Sequence, residues 1–357
     1  METLQPKLRF PEFNGKYKNK RVDDFAPLQR GFDLPITKMV KGKFPVVFSN
    51  GISKTHNEFK VKAPGIVTGR SGTIGNLFYI EEDFWPHNTS LWVTDFKGNF
   101  PKYVYYFYDK FDLKRFGTGS GVPTLNRNDV HNQQIYFPSL EEQTKIAIFL
   151  SSVDEKLSLL KEKKSLLEEY KKGIMQKLFS KVLRFKDGNG NDFEDWEVKS
   201  IGDILSIGSG RDYKHLNLGN VPVYGTGGLM TYVDSFLHQG ETVCIGRKGT
   251  IDKPMYFNGD IWTVDTLFYT HTFIDSLPKY VFYVFQSINW KKHNEASGVP
   301  SLSKSTIEKI SINVPSVPEQ TKIADFLSVI DEKIELVSTQ IEEIQEYKKG
   351  LLQLMFV

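Results

Sequence analysis

Two stretches of the chain place apolar residues at alternating steps of four and three. In the first, Ile146, Leu150, Val153, Leu157, Leu160, Leu167, Ile174 and Leu178 share one line, interrupted by Lys164 and Lys171. In the second, Ile323, Leu327, Ile330, Ile334, Val337, Ile341, Ile344, Leu351 and Met355 do the same, interrupted by Lys348. Such spacing over four or more heptads predicts a long helix with a coiled-coil seam. Pro138 precedes one stretch and Pro315 and Pro318 the other, where a missing N–H costs nothing. Roughly 38 residues at 1.5 Å each make a rod about 57 Å long. Neither rod can bury its stripe alone, so each is expected to pack on the other.

Outside the rods the period changes. Residues 1–138 are dense in short β-type runs: Pro45–Phe48, Gly65–Thr68, Asn76–Ile80 and Ser90–Val93, with a helix predicted at Tyr103–Tyr108. Broken by Gly, Pro and Asn, these predict a strand-rich α+β globule with long loops. Ser180–Lys199 is a polar connector containing the turn signal Asp187-Gly-Asn-Gly190. The chain thus divides into 1–138, a rod at 139–179, a second globule at 180–315 and a second rod at 316–357.

The two halves are copies of one unit. Glu142-Gln-Thr-Lys-Ile-Ala147 returns as Glu319–Ala324, Phe149-Leu-Ser151 as Phe326–Ser328, Asp154-Glu-Lys156 as Asp331–Lys333, and Glu169-Tyr-Lys-Lys-Gly173 as Glu346–Gly350. In the globules Gly69-Arg-Ser-Gly-Thr-Ile74 matches Gly246-Arg-Lys-Gly-Thr-Ile251, Trp85 and Thr89 match Trp262 and Thr266, and Ser120-Gly-Val-Pro123 matches Ser297–Pro300. The segments Asn50–Lys62 and Gly227–Gln239 share almost nothing. One frame with different loops points to two related binding tasks with different targets. The short connector between Phe179 and Lys199 sets the second globule by the far end of the first rod. Antiparallel rods would then give a pseudo-two-fold body with a globule at each end.

Composition narrows the class. A chain of 357 residues is too long for one ordinary core. Cys244 is the only cysteine, which excludes a disulfide framework and fits a reducing cytoplasm. Met1–Phe10, with Glu2, Lys7 and Arg9, has no apolar centre, so no signal peptide is expected, and no run approaches bilayer length. The net charge of +3 is uneven: residues 1–138 carry 20 basic against 13 acidic side chains, residues 180–315 carry 14 against 15. The first globule has the footprint of a nucleic-acid binder, the second does not on charge alone.

Candidate chemistry lies in the loops. In Gly69–Thr73 and Gly246–Thr250 glycine permits close approach to phosphate, and arginine can grip phosphate or read guanine; a tight turn with a solvated arginine is the plainer alternative. Here Arg70, Ser71 and Thr73, and Arg247, Lys248 and Thr250, are the candidate DNA contacts. Phe116–Gly121 looks like a glycine-rich cofactor loop, but its counterpart His293–Gly298 keeps only the Ser-Gly end. We read the repeated Ser-Gly-Val-Pro as a turn entering a strand, with phosphate contact from Ser120, Ser297, Lys114, Arg115, Lys291 and Lys292 as the functional alternative. Donors suited to base edges stand in the variable loops: Ser49, Asn50, Lys54, His56 and Asn57, then Arg211, Tyr213, Lys214, His215 and Thr226; Arg30 completes the candidate set. Catalytic motifs are missing. No Pro-Pro occurs, no His-Glu-x-x-His, no cysteine cluster. Asp154-Glu-Lys156 and Asp331-Glu-Lys333 mimic the end of a nuclease motif but lie on rods, where a surface charge pattern is expected.

A mutual seam does not explain why Gln143, Thr144, Lys145, Tyr170 and Lys171 recur as Gln320, Thr321, Lys322, Tyr347 and Lys348; repeated patches point to two copies of one partner. Gly173 and Gly350, costing about 1 kcal/mol each within a helix, point to a close backbone approach or a helix end.

On the Ser-Gly-Val-Pro block, the Glu-Gln-(x)-Lys-Ile-Ala helix start, the Gly-Arg-(x)-Gly-Thr loop, and Leu8-Arg-Phe10 with its echo Leu183-Arg-Phe185, the chain resembles the specificity subunit of type I restriction–modification systems over essentially its whole length. The resemblance implies an α+β architecture: two strand-rich α/β target-recognition globules, separated by two long antiparallel coiled-coil helices, in a pseudo-two-fold, circular arrangement. It implies a non-catalytic subunit that binds double-stranded DNA, each globule reading half of a split, asymmetric site. It further implies two methyltransferase subunits on the rods, holding S-adenosylmethionine for adenine methylation. Endonuclease–translocase subunits using ATP and Mg would join them, all in the cytoplasm without a membrane. A coiled-coil scaffold without DNA readout, or the specificity subunit of a related modification enzyme, is the alternative.

Overall fold

In the computed structural model, which describes residues 4–119 and 121–357, a strand-rich domain and a long helix follow each other twice. The first domain contains β1 (Phe44–Phe48), β2 (Gly51–His56), β3 (Gly65–Gly69), β4 (Ser90–Val93) and α1 (Pro101–Phe111), and leads into α2 (Leu140–Phe179). The second repeats them as β5 (Val221–Gly225), β6 (Gly228–Val233), β7 (Glu241–Gly246), β8 (Leu267–His271) and α3 (Pro278–Ser287), followed by α4 (Val317–Met355). The strand runs read from the sequence all form, and the helix expected at Tyr103–Tyr108 extends back to Pro101, which occupies its first turn.

The chain condenses into two compact units, Met1–Lys161 with Thr339–Val357, and Glu162–Ser338. Each owns the opening turns of one long helix and the closing turns of the other.

In the first unit an antiparallel sheet runs in the order Leu28–Arg30, β4, β3, Leu77–Ile80. A second sheet has β2 at its edge, β1 at its centre and Trp85–Pro86 parallel beyond. Lys18–Arg21 pairs with Gln134–Phe137, tying the start of the domain to the strand that feeds α2. The core gathers Phe25, Ile66, Leu91, Tyr103, Tyr106 and Phe107 with Ile146, Leu150 and Val153 of α2 and Leu351 and Met355 of α4. α1 meets α2 in rising order, Phe100 beside Gln143 and Tyr106 beside Asp154. It meets the closing segment in falling order, Tyr103 against Phe356 and Asp109 beside Lys348. Within this unit the two long helices therefore run antiparallel.

The second unit repeats the plan. Its sheets are Ser206–Ser209, β8, β7, Met255–Asn258, and β6, β5, Trp262–Thr263, with Glu197–Ser200 paired to Ser311–Val314. Leu277 lies beside Gln320 and Tyr283 beside Asp331, while Tyr280 meets Phe179 and Gln286 meets Lys171, which again makes the helices antiparallel.

One expectation changes here. The apolar stripes do not serve only a mutual seam: Ile146, Leu150 and Val153, Met175 and Leu178, and Ile323, Leu327 and Ile330 belong to the domain cores. Full burial of each such side chain stabilises by about 1.5–3 kcal/mol, so the domains and helices hold each other. Gly173 and Gly350 are not at helix ends. Both lie inside continuous helix, and apart from the adjoining helix backbone no atom of the chain comes within 4 Å of a Cβ placed on either.

Candidate nucleic-acid interface

Motifs far apart in sequence meet at one rim of each domain. β3 ends at Gly69, where a Cβ would fall inside the van der Waals shell of the Thr73 carbonyl oxygen and press on that of Ser49. Only glycine lets the loop fold back there, and Gly72, at φ +81°, completes the turn. Arg70 N and Ser71 N both donate to Thr89 O, at 2.9 and 3.2 Å. Gly72 N donates to Pro123 O at 3.0 Å, and Leu125 N to Arg70 O at 2.8 Å. The second domain repeats this bond for bond: Arg247 N and Lys248 N to Thr266 O at 2.7 and 3.3 Å, Gly249 N to Pro300 O and Leu302 N to Arg247 O, both at 2.9 Å. Thr89, Pro123 and Leu125, and likewise Thr266, Pro300 and Leu302, act here through their backbones. They are the acceptors and the donor that fix the arginine loop.

The variable hairpin turns complete the rim. Ser49 N donates to Thr89 Oγ1 at 3.3 Å, and His87 Nδ1 lies 3.0 Å from the same hydroxyl. Burial holds the His87 imidazole below its usual pKa. Thr226 stands in the corresponding turn, its Oγ1 3.7 Å from a Cβ placed on Gly249. Asn50, Ser71 and Thr73, with Lys248 and Thr250, lie on the same loops, half-buried or exposed. Arg70 is half-buried; the Arg247 guanidinium leans on the Asp265 carbonyl at 3.5 Å and on the face of Phe268.

The basic candidates sort by their neighbours. Lys114 is exposed, and Arg115 covers the rings of Phe111 and Phe116 at 4.5 and 4.7 Å. Lys291 is paired with Asp252 at 2.9 Å; Lys292 and Ser297 are exposed. Ser120 lies outside the described residues. Arg30 pairs with Asp33 at 3.1 Å on the exposed strand beside β4. Arg211, Lys214 and His215 are exposed next to Trp262, whose indole donates to Arg211 O, whereas Tyr213 packs against the Val223 cluster. His56 corrects the expectation made of it: it is buried, its Nδ1 is 3.1 Å from both the N and O of Val40, and its ring packs edge-on to Trp85. That side chain is part of the sheet's interior and is out of a duplex's reach, while Lys54 on the same strand is exposed.

The repeated helix residues are also not one patch. Gln143 is buried, accepting from Phe100 N and donating to Asn99 Oδ1 and Pro138 O; Gln320 does the same with Leu277 N, Asp275 O and Pro315 O. Lys171 pairs with Asp331 at 2.6 Å, Lys348 with Asp154 at 2.8 Å. For Gln143 and Gln320, which are buried, this corrects their reading as partner contacts; Lys171 and Lys348 are half-buried and take part in ion pairs within the chain. Asp154 and Asp331 are likewise more than surface charge, because each also accepts from a buried tyrosine, Tyr106 or Tyr283. Exposed Lys145 reaches Glu12 and half-buried Lys322 reaches the Lys186 carbonyl, and the Thr144 and Thr321 hydroxyls return to their own helices. Tyr170 and Tyr347 remain open, each 51% exposed. Leu159 and Leu336, equivalent and exposed, were missed in the sequence because they sit off the apolar line. Among the described residues no group of His, Cys, Asp or Glu is placed to hold a metal ion, and no helix is long and apolar enough to cross a membrane.

Comparison with known proteins finds one family twice along the chain. The family described as type I restriction modification DNA specificity domain matches residues 14–169 and again 193–346. The type I restriction enzyme MjaVIII specificity subunit of Methanocaldococcus jannaschii is 26% identical over 287 residues, 68% of this chain and 66% of the relative. The putative MjaX specificity subunit of the same organism is 26% identical over 278 residues, 65% of this chain and 60% of the relative. The chain therefore spans just under two thirds of the first relative and less of the second. The crystal structure of a type I restriction–modification S subunit from M. genitalium superposes with a TM-score of 0.71 at 18% identity, covering 99% of both chains, a likeness of fold.

Proposed function

The chain belongs to the type I restriction modification DNA specificity domain family, and from that premise we propose that it selects a split, asymmetric double-stranded DNA target, one half read by each domain. The observation that carries this reading is the loop network. It is the same in both domains, while the hairpin beside it changes its side chains. A constant frame suits phosphates, which carry no sequence, and a variable edge suits bases, which do.

In this reading residues 1–138 and 180–315 are the reading domains, and 139–179 and 316–357 are spacers that set the number of unread bases between the halves. The equivalent exposed pairs Tyr170 and Tyr347, and Leu159 and Leu336, offer matching surfaces to two copies of a methyltransferase subunit. S-adenosylmethionine would bind to those subunits, and ATP and Mg to endonuclease subunits that join for restriction. The chain itself supplies selection and no catalytic step, in the cytoplasm.

Genome-wide methylation mapping in cells with and without the gene tests this. Methylated adenines in a split, asymmetric motif should disappear with the gene. Exchanging residues 1–138 for a relative's domain should change one half of the motif only. A change in both halves, or methylation indifferent to the gene, overturns it.

A further inference from the structure

β2 and β6 hold the same place and share one backbone. Each is the edge strand of its three-stranded sheet and opens on a glycine at positive φ, Gly51 at +113° and Gly228 at +109°. Each slips register at the same step: Val46 pairs with Lys54 and Val47 with Ile52, just as Val223 pairs with Thr231 and Tyr224 with Leu229. The slip leaves Ser53 and Met230 unpaired, a bulge that bends and twists the edge.

The side chains on this common backbone differ in kind. Each opens on an exposed apolar side chain, Ile52 at 54% and Leu229 at 50%; beyond it β2 exposes Ser53, Lys54 and Thr55, whereas β6 exposes Met230 and Tyr232 at 54% and 47%. An exposed apolar edge invites unwanted strand pairing and in a native protein has a use. Its surroundings identify that use. The turn before each strand abuts the arginine loop, through Ser49 on Gly69 and Thr226 on Gly249. A polyanion held by Arg247 and Lys248 would therefore pass near β6, and one held by Arg70 near β2.

We infer that β2 and β6 are the base-reading edges of the two domains, and that β6 reads thymine 5-methyl groups through Met230 and Tyr232, whereas β2 reads base acceptors through Ser53, Lys54 and Thr55. The inference rests on the DNA-reading function proposed above. The major groove admits a two-stranded β-ribbon and displays the thymine methyl to apolar side chains and guanine O6 and N7 to lysine. The half-site of the second domain therefore contains thymines whose methyls are contacted, and that of the first contains guanine.

The test uses the full chain in its native complex, bound to duplexes carrying the mapped motif. Deoxyuridine in place of thymine removes only the methyl. With the unaltered protein, affinity should fall about three- to fourfold per contacted methyl in one half and stay constant in the other. Replacing Met230 and Tyr232 by serine should make that half indifferent to deoxyuridine, with unchanged dependence on the other half reporting an intact fold. In the other half 7-deazaguanine should weaken the unaltered protein and not the Lys54→Ala variant. Target-selective binding that ignores deoxyuridine in both halves overturns the edge assignment and leaves DNA selection standing. The unaltered protein decides this whether or not the variants fold. Absence of any target-selective binding overturns both.

Discussion

Arg9 closes on Glu142 with two parallel hydrogen bonds, Nε and Nη2 each 2.8 Å from a carboxylate oxygen. Arg184 grips Glu319 in the same way at 3.2 and 2.9 Å. Both carboxylates are buried, and each takes a further donor: Tyr17 Oη at 3.3 Å for Glu142, and the Trp196 indole at 2.8 Å for Glu319. The two Leu-Arg-Phe segments thus fasten each domain's approach to the first turn of the long helix that follows, with Phe10 on Phe149 and Phe185 on Phe326.

Removing one member of such a pair strands the other charge in the interior. Arg9→Ala is expected to destabilise its unit by roughly 3 kcal/mol, and Arg184→Ala its own unit similarly. Arg9→Met combined with Glu142→Leu should cost much less, because no charge is left behind. Denaturant unfolding of the three variants measures this; equal losses from the single and paired replacements would remove the buried-charge explanation.

The repeated helix residues should divide into two behaviours. Lys348 bridges Asp154 at 2.8 Å and Asp109 at 3.6 Å over the ring of Tyr106, so Lys348→Ala should release hydrogen-exchange protection in the closing turns of α4. Tyr347→Ala and Tyr170→Ala lie in solvent and should move stability by less than about 0.5 kcal/mol. Their effect should appear as weaker co-purification of the methyltransferase subunit. Protection unaffected by Lys348→Ala would contradict the internal role.

These cases mark what the sequence could reveal. The helices were legible because a four-three stripe has no other good use, and the strands because short β-branched runs sat between turn residues. The duplication located the arginine loop. What remained hidden were cross-chain contacts: nothing about Gln143 announces that it will accept from Phe100 N, so its recurrence looked like a docking patch. His56 looked like a loop donor because its neighbours are polar, while the strand turns that one side chain inward. The kinship of the two edge strands was harder to read, because Ile52-Ser-Lys-Thr55 and Leu229-Met-Thr-Tyr232 share no residue at matching positions; their place in the sheet, opening glycine and bulge relate them.

Gly173 and Gly350 allow a test of opposite sign. Each sits within a helix with open space where a Cβ would go. Gly173→Ala and Gly350→Ala should each stabilise the isolated chain by about 0.5–1 kcal/mol. Gly69→Ala and Gly246→Ala should instead deform their loops and weaken DNA binding. Destabilisation by the helix substitutions would reveal a contact on that face.

Acid should weaken the first unit through His131. Leu28 N donates to its Nε2 at 2.9 Å, which requires that nitrogen to be unprotonated, and burial holds the imidazole below its usual pKa. The unfolded chain then takes up the proton more readily than the folded one. Stability should therefore be intact above about pH 6.5 and fall as the pH drops through that value towards the depressed folded one. His131→Gln, which keeps an acceptor without the titration, should flatten the decline between pH 7 and 5 in denaturation experiments. An unchanged slope would assign the acid sensitivity elsewhere.

The spacer role leads to a prediction about distance. A heptad inserted into each long helix, after Lys161 and after Ser338, preserves the four-three phase of both stripes. Both helices must grow together, because each compact unit contains turns of both. Seven residues at 1.5 Å add roughly 10 Å, which is about three base pairs at 3.4 Å per step. The methylated motif should keep both half-sites and gain three unread positions. Motif mapping in cells carrying the lengthened chain measures the gap directly. A gap that stayed constant while methylation persisted would mean that something other than these helices spaces the two readings. Loss of methylation, with each domain still binding its own half-site duplex, would instead place the damage at the methyltransferase contact.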